Sequence, residues 1–100
     1  MANICDNEIQ LHTENKDNLE VIKDFFDKTF PDNWIDDVEN GDYVIYFDSK
    51  WDFPKEILNK LCDIIPNKTD VEMTCLSVEW GNFYSAFHTF DPDEGWIYQN

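Results

Sequence analysis

The sequence predicts an α+β domain, a two-layer sandwich in which an antiparallel or mixed sheet of four to five strands carries two helices on one face. Three observations lead there. Two stretches, 17–30 and 55–65, repeat apolar residues at helical spacing. Several others, DYVIYFDS (42–49) the clearest, are dense in β-branched and aromatic residues. Their order is strand, helix, strand, helix, strand, strand, with a short last strand possible. One hundred residues make one domain, and 42% apolar residues with sixteen aromatics suffice for a core without disulfides or metal.

Residues 3 to 12 read as the first strand, with Cys5, Ile9 and Leu11 on one face and Asn7 the odd residue there. Thr13 to Asn15 turns the chain, and Asn15 or Asp17 caps the following helix. With Asp17 as cap, Glu20 takes the capping-box position. Leu19, Ile22, Phe26 and Phe30 form the apolar side, and Pro31 ends the helix by Thr29 or Phe30. FPDNWIDDVENG reads as a loop anchored by Trp34, Ile35 and Val38. Asn40 and Gly41 mark the turn into strand 42–49. Asp52 is a good N-cap residue, and Pro54 suits the first turn of a helix that buries Ile57, Leu58, Leu61, Ile64 and Ile65. Glu56 and Lys60 are spaced to pair on its outer side.

Residues 70–80 and 83–90 read as a hairpin around Gly81 and Asn82. A two-residue loop sets Trp80 opposite Phe83, Val78 opposite Ser85 and Leu76 opposite Phe87. That apolar face is expected to meet the helices, leaving Met73, Cys75, Ser77, Glu79, Tyr84, Ala86 and His88 on the other side. DPDEG turns the chain again, and GWIYQN supplies the short edge strand.

Acids outnumber bases 22 to 7, all seven bases are lysine, and the formal net charge is −15. That balance argues against direct binding to nucleic acid or an anionic membrane, because each phosphate contact calls for a cation. It suits a basic partner, or solubility alone. MANICDNEIQLH lacks the basic-then-apolar pattern of a signal peptide, and no apolar run reaches membrane length. A cytoplasmic protein with Cys5, Cys62 and Cys75 as reduced thiols is expected.

The acids concentrate between Asp17 and Asp42. Asp17, Glu20, Asp24 and Asp27 recur by three, four and three, forming a column on the helix away from its apolar side. Asp32, Asp36, Asp37, Glu39 and Asp42 continue beyond it. Nine acids against Lys23 and Lys28 give this segment a net charge of −7. Such a face is ordinarily only solvated. Here it is costly, since each like-charged neighbour pair destabilises by ~0.2–0.5 kcal/mol and Asp27 lies near the negative end of the helix dipole. These nine residues are the candidate partner-binding set.

The catalytic and metal motifs in the sequence are incomplete. DDVENGD placed in an EF-hand frame puts Val38 and Phe47 where oxygen ligands belong. Cys75 and His88 oppose each other in the hairpin register but lack a third, orienting group. Three cysteines and two histidines lack zinc spacing, and the adjacent Asp36 and Asp37 suit an open, solvated loop better than acid–base catalysis. Trp51, Trp80 and Phe83 read as core, since no basic residues interleave with them as in a base-stacking platform. No enzyme activity and no cofactor are expected.

FDSKWDFPKEILNKLCDIIP resembles the YubB-type ferredoxin-like domain of plasmid and phage genes. The shared features are a strand ending in an aromatic and a polar residue, a tryptophan, a capped proline, and an amphipathic helix closed by proline. The opening MANICDNEIQLH is similar to the family's start, and EWGNF to its later glycine–phenylalanine turn. The chain departs in carrying Phe53 where the family commonly has another proline, and in its shorter, more acidic middle. The resemblance implies a ferredoxin-like fold, no established catalytic residues, and a setting in mobile elements with a role against host defence.

Two functions from different classes follow as expectations. The first is a non-catalytic inhibitor whose acidic surface occupies the basic nucleic-acid groove of a host defence protein, a nuclease or CRISPR-type effector. Carboxylates one turn apart, ~5–6 Å from each other, then replace phosphates. The second is a structural or interaction module, monomeric or homodimeric, that pairs through its sheet face or edge strand. On either, the isolated protein is expected to leave DNA and RNA unretarded in a gel at physiological salt. A clear shift at micromolar protein would refute the exclusion of nucleic acid.

Overall fold

The structure, a computed structural model, describes residues 4–81 and 83–99. It is α+β, with six strands in one antiparallel sheet: β1 (Ile4–His12), α1 (Lys16–Thr29), β2 (Trp34–Glu39), β3 (Asp42–Lys50), α2 (Lys55–Ile64), a 3-10 turn (Lys68–Asp70), β4 (Glu72–Glu79), β5 (Tyr84–Asp91) and β6 (Gly95–Gln99). Strand order is β2-β3-β1-β4-β5-β6. The first four strands therefore form two interlocked split units. β1-α1-β2 is split by β3, and β3-α2-β4 is split by β1. β5 and β6 extend the β4 side as a meander.

The four to five strands expected become six because 34–39 is a strand rather than a loop. Its side chains alternate WIDDVE, polar and apolar together on both faces, so no period-2 signal survives in the sequence. The strand exists because β3 supplies a template: Trp34 pairs with Tyr46, Ile35 with Ile45 and Asp37 with Tyr43, before a bulge at Val38. Ile35 packs on the core, whereas Trp34 and Val38 are exposed rather than anchoring. The connection to β3 is an Asn-Gly hairpin turn with φ of 51° at Asn40 and 87° at Gly41. A Cβ at Gly41 would lie 2.9 Å from the carbonyl oxygen of Thr13, so glycine is required twice over.

Helix α1 is capped by Asn15, whose side chain accepts from the Asn18 N–H at 3.0 Å. Asp17 is thus inside the helix and the capping box does not form. Its buried side is Asn18, Ile22 and Phe26, with Leu19, Phe25 and Phe30 packed beside them. Asn18 is buried because its amide bridges to Asn67, donating to the backbone oxygen at 2.8 Å and accepting from the N–H at 3.0 Å.

Helix α2 begins at Lys55 after Pro54, without a side-chain cap. Asp52 does not cap it, because the chain first folds back at Trp51 (φ 72°). There the Asp52 N–H bonds the Lys50 carbonyl and the Ser49 hydroxyl bonds the Asp52 carbonyl. The buried side of the helix segment is Leu58, Leu61, Cys62 and Ile65, with Ile57 and Ile64 exposed. Phe53 pulls it round: this ring stacks on His88 at 3.7 Å and meets Trp96 edge-on at 5.7 Å. Trp96 in turn donates its indole N–H to the Leu58 carbonyl at 3.1 Å. Glu56 and Lys60 are not among the ion pairs of the described residues.

The hairpin register is as expected, with Leu76 opposite Phe87 and Val78 opposite Ser85. Its loop residue Asn82 lies outside the described residues. The facing is the reverse of the expectation. Met73, Cys75, Ser77, Glu79, Ala86 and His88 are buried, while Leu76, Trp80, Phe83 and Phe87 are exposed. The cause is β1. Its buried residues Cys5, Asn7, Ile9 and Leu11 stand opposite Glu79, Ser77, Cys75 and Met73, and period-2 alternation carries that phase across every strand. Polar residues enter the core because they satisfy one another. The Ser77 hydroxyl donates to Asn7 Oδ1 at 2.7 Å, and the Asn7 amide donates to the Phe47 carbonyl at 3.2 Å and to Ser49 Oγ at 2.9 Å. The core cluster holds residues of both helices and of the sheet, so both helices cover the same face.

Asn7→Ala removes the acceptor of a buried hydroxyl and three donor contacts, to the Cys5 and Phe47 carbonyls and Ser49 Oγ. A loss of about 1–3 kcal/mol is expected, read as a lower denaturation midpoint with unchanged m-value. Gln10→Ala, on the exposed face of the same strand, should stay within about 0.5 kcal/mol of the parent.

Candidate protein-interaction surface

With both helices on one side, the other face of the sheet is uncovered. Register fixes its rows. One runs Trp34, Tyr46, Glu8, Leu76, Phe87 across β2, β3, β1, β4 and β5. The next holds Asp48, Asp6, Val78 and Ser85. On the other side of the first, Asp36, Val44, Gln10 and Thr74 align. Large apolar groups therefore stand in solvent between carboxylates, with Trp34 at 66% and Trp80 at 69% exposure. Exposed apolar area of this kind, concentrated on one face, makes it the candidate surface for an interaction.

Charge is distributed unevenly between the faces. Asp6, Glu8, Asp36, Asp42, Asp48 and Glu72 lie at the uncovered-face positions of their strands, with Lys50 at one corner. The other six lysines, Lys16, Lys23, Lys28, Lys55, Lys60 and Lys68, all belong to the helices and the 3-10 turn.

The nine acids singled out from the sequence do not form one surface. Asp17, Glu20, Asp24 and Asp27 are all exposed on α1. Yet the whole helix, Lys16 included, has four acids against three lysines, a net charge of −1. Asp24 is paired with Lys28 at 2.9 Å, and Asn33 donates to Asp27 at 3.3 Å. Asp32, Asp37 and Glu39 follow the turn and the β2 edge. Asp36 and Asp42 cross to the uncovered face, where Asp36 accepts from the Trp34 indole at 2.5 Å and Asp42 holds His12 at 2.6 Å. The strong net charge of the segment thus comes from its second half, which the helix does not share.

Sequence reasoning missed Asp6, Glu8 and Asp48: the first two share one face of β1 and Asp48 joins them only through strand pairing. Asp6 faces Asp48 across the adjacent strands β1 and β3. Burial raises the Asp48 carboxyl above its ordinary value, and a hydrogen bond with Asp6 and the charges of Asp6 and Asp32 push it further. The Trp80 indole donates to Asp6 at 3.2 Å. At the far end of the same face a groove of about 810 Å³ is lined by Gln10, His12, Asp42, Val44, Glu72 and Thr74. His12 there is raised, chiefly by its hydrogen bond to Asp42.

The thiols are unsuited to nucleophilic chemistry. Cys75 does stand opposite His88, but burial pushes its thiol up to about 12 and that of Cys62 to about 11. His88 is lowered, first by burial and then by the charge of Lys55, and its ring lies flat on Phe53. No group of three or more metal-ligating side chains occurs among the described residues, and no described helix is long and apolar enough to cross a membrane. In comparisons with known proteins, no family model, curated protein or solved structure matches the chain.

The raised Asp48 carboxyl sets a pH test. A folded-state value above the unfolded 3.8 means folding takes up a proton. That contribution is fully present below 3.8 and lost as pH climbs through the raised value. Asp48→Asn, neutral throughout, should therefore melt higher than the parent at neutral pH, with the gap closing as pH falls toward 3.8. Equal melting temperatures across the range would show that neither burial nor the neighbouring Asp6 penalises the Asp48 carboxylate.

Proposed function

We propose that the protein is a non-catalytic binding module that seats a basic protein surface on the uncovered face of its sheet. The observation that carries this reading is the interleaving of six carboxylates with exposed aromatic and aliphatic side chains on that face, opposite two helices holding five of the seven lysines. Apolar contact gives such an interface its affinity, and complementary charge gives steering and selectivity. A nucleic acid, with its phosphates, meets repulsion there despite the ring faces on offer.

The two interlocked split β-α-β units, in the order β2-β3-β1-β4, support a ferredoxin-like core with a β5–β6 extension.

The second reading is a nucleic-acid mimic of a mobile element, acting in the host cytoplasm to block the basic groove of a defence nuclease, of anti-CRISPR or anti-restriction type. Four exposed carboxylates at helical spacing on α1 support it, as does the resemblance of 47–66 and of the chain's opening to plasmid and phage domains. In that case α1 rather than the sheet meets the partner.

Two charge-reversed baits separate the surfaces. Asp6→Lys with Asp48→Lys alters the sheet, and Asp24→Lys with Asp27→Lys alters the helix. Affinity capture from host lysate with mass spectrometry is expected to recover a basic protein with the parent and the helix variant, lost with the sheet variant and as salt rises. Loss with the helix variant alone would transfer the interface to α1.

A further inference from the structure

The uncovered face constrains its occupant beyond a positive charge. A second copy of this chain would set carboxylates against carboxylates, so self-association through this face is disfavoured. The most demanding position is the Asp6–Asp48 pair on the adjacent strands β1 and β3. Like charges directly opposite on one face of a sheet destabilise it, and a cation held between them reverses that sign. Trp80 is tied to the same pair through its indole N–H on Asp6 Oδ2, while most of the side chain remains in solvent. The adjoining row supplies Tyr46, Leu76 and Phe87 as apolar neighbours.

A guanidinium matches this arrangement better than an ammonium. Its planar fork offers five donors, enough to reach two carboxylates at once, and its flat face lies favourably against an indole. Lysine brings a compact, strongly hydrated charge with three donors but neither a planar fork nor a flat face.

We infer that the uncovered sheet face docks a protein segment bearing arginine between apolar residues, with the guanidinium seated across Asp6 and Asp48 beside Trp80. This rests on the reading of that face as the binding surface, and it names the chemistry of the partner.

Fluorescence anisotropy with a labelled short peptide of alternating arginine and valine, and with its lysine counterpart, tests it. The arginine peptide should bind at least about fivefold tighter, the scale of one cation–π contact. Asp6→Asn with Asp48→Asn should remove most of the affinity for both peptides and the preference between them. Trp80→Ala should remove the preference and keep the lysine peptide's affinity. Glu56→Gln with Asp63→Asn, exposed on α2, should change neither. Far-UV circular dichroism on each variant confirms the fold.

Equal binding of the two peptides, weakened by the Asp6/Asp48 change but not by the α2 change, would overturn the arginine seat and leave the sheet-face reading standing. Equal weakening by both double changes would mean attraction to net charge alone, and both readings would fall. Failure of the arginine peptide to bind the parent would also overturn the arginine seat.

Discussion

The phase of the central strand governs this molecule. β1 is bonded on one side to β3 and on the other to β4, and its Cys5, Asn7, Ile9 and Leu11 point into the core. Because side chains alternate with a strict period of two, that choice decides which half of every neighbouring strand is covered by the helices. Reversing it would bury Asp6 and Glu8, at a cost no packing gain could offset. The inward Asn7 is tolerated because Ser77, Ser49 and the Phe47 carbonyl complete its hydrogen bonds. The polar network is therefore a consequence of the strand's phase as well as a lock on its register.

Much of the architecture was legible in the chain. Both helices, the Asn40–Gly41 turn, the hairpin register and the short last strand are all local signals. The second strand was not, since WIDDVE gains its conformation from a partner and not from its own alternation. The facing of β4 and β5 was not legible either. Taken alone, Leu76, Val78 and Phe87 are the natural core residues, and Ser77, Glu79 and His88 the natural surface. Only the shared register with β1 inverts that assignment, and the core space over β5 and β6 is filled instead by Phe53 and Trp96 from outside the hairpin.

The candidate surface follows the same division. The acid-rich segment 17–42 is visible as a cluster in sequence, but the fold disperses it, with part on a helix that Lys16, Lys23 and Lys28 nearly neutralise and part on an edge strand. Asp6, Glu8 and Asp48 are scattered in sequence, and the fold gathers them among Trp34, Tyr46 and Trp80. Density of charge along a chain and density of charge on a face are different quantities. Strand pairing converts one into the other.

The two edges of the sheet differ in kind. β2 ends one side with Asp36, Asp37 and Glu39 and a bulge at Val38, features that turn away an incoming strand by repulsion and by broken spacing. β6 ends the other with Gly95–Gln99, free of charge. A sheet capped at one margin and open at the other cannot propagate. Two molecules joined margin to margin at β6 would present only their capped sides outward, so edge-to-edge growth of the folded sheet stops at a single pairing.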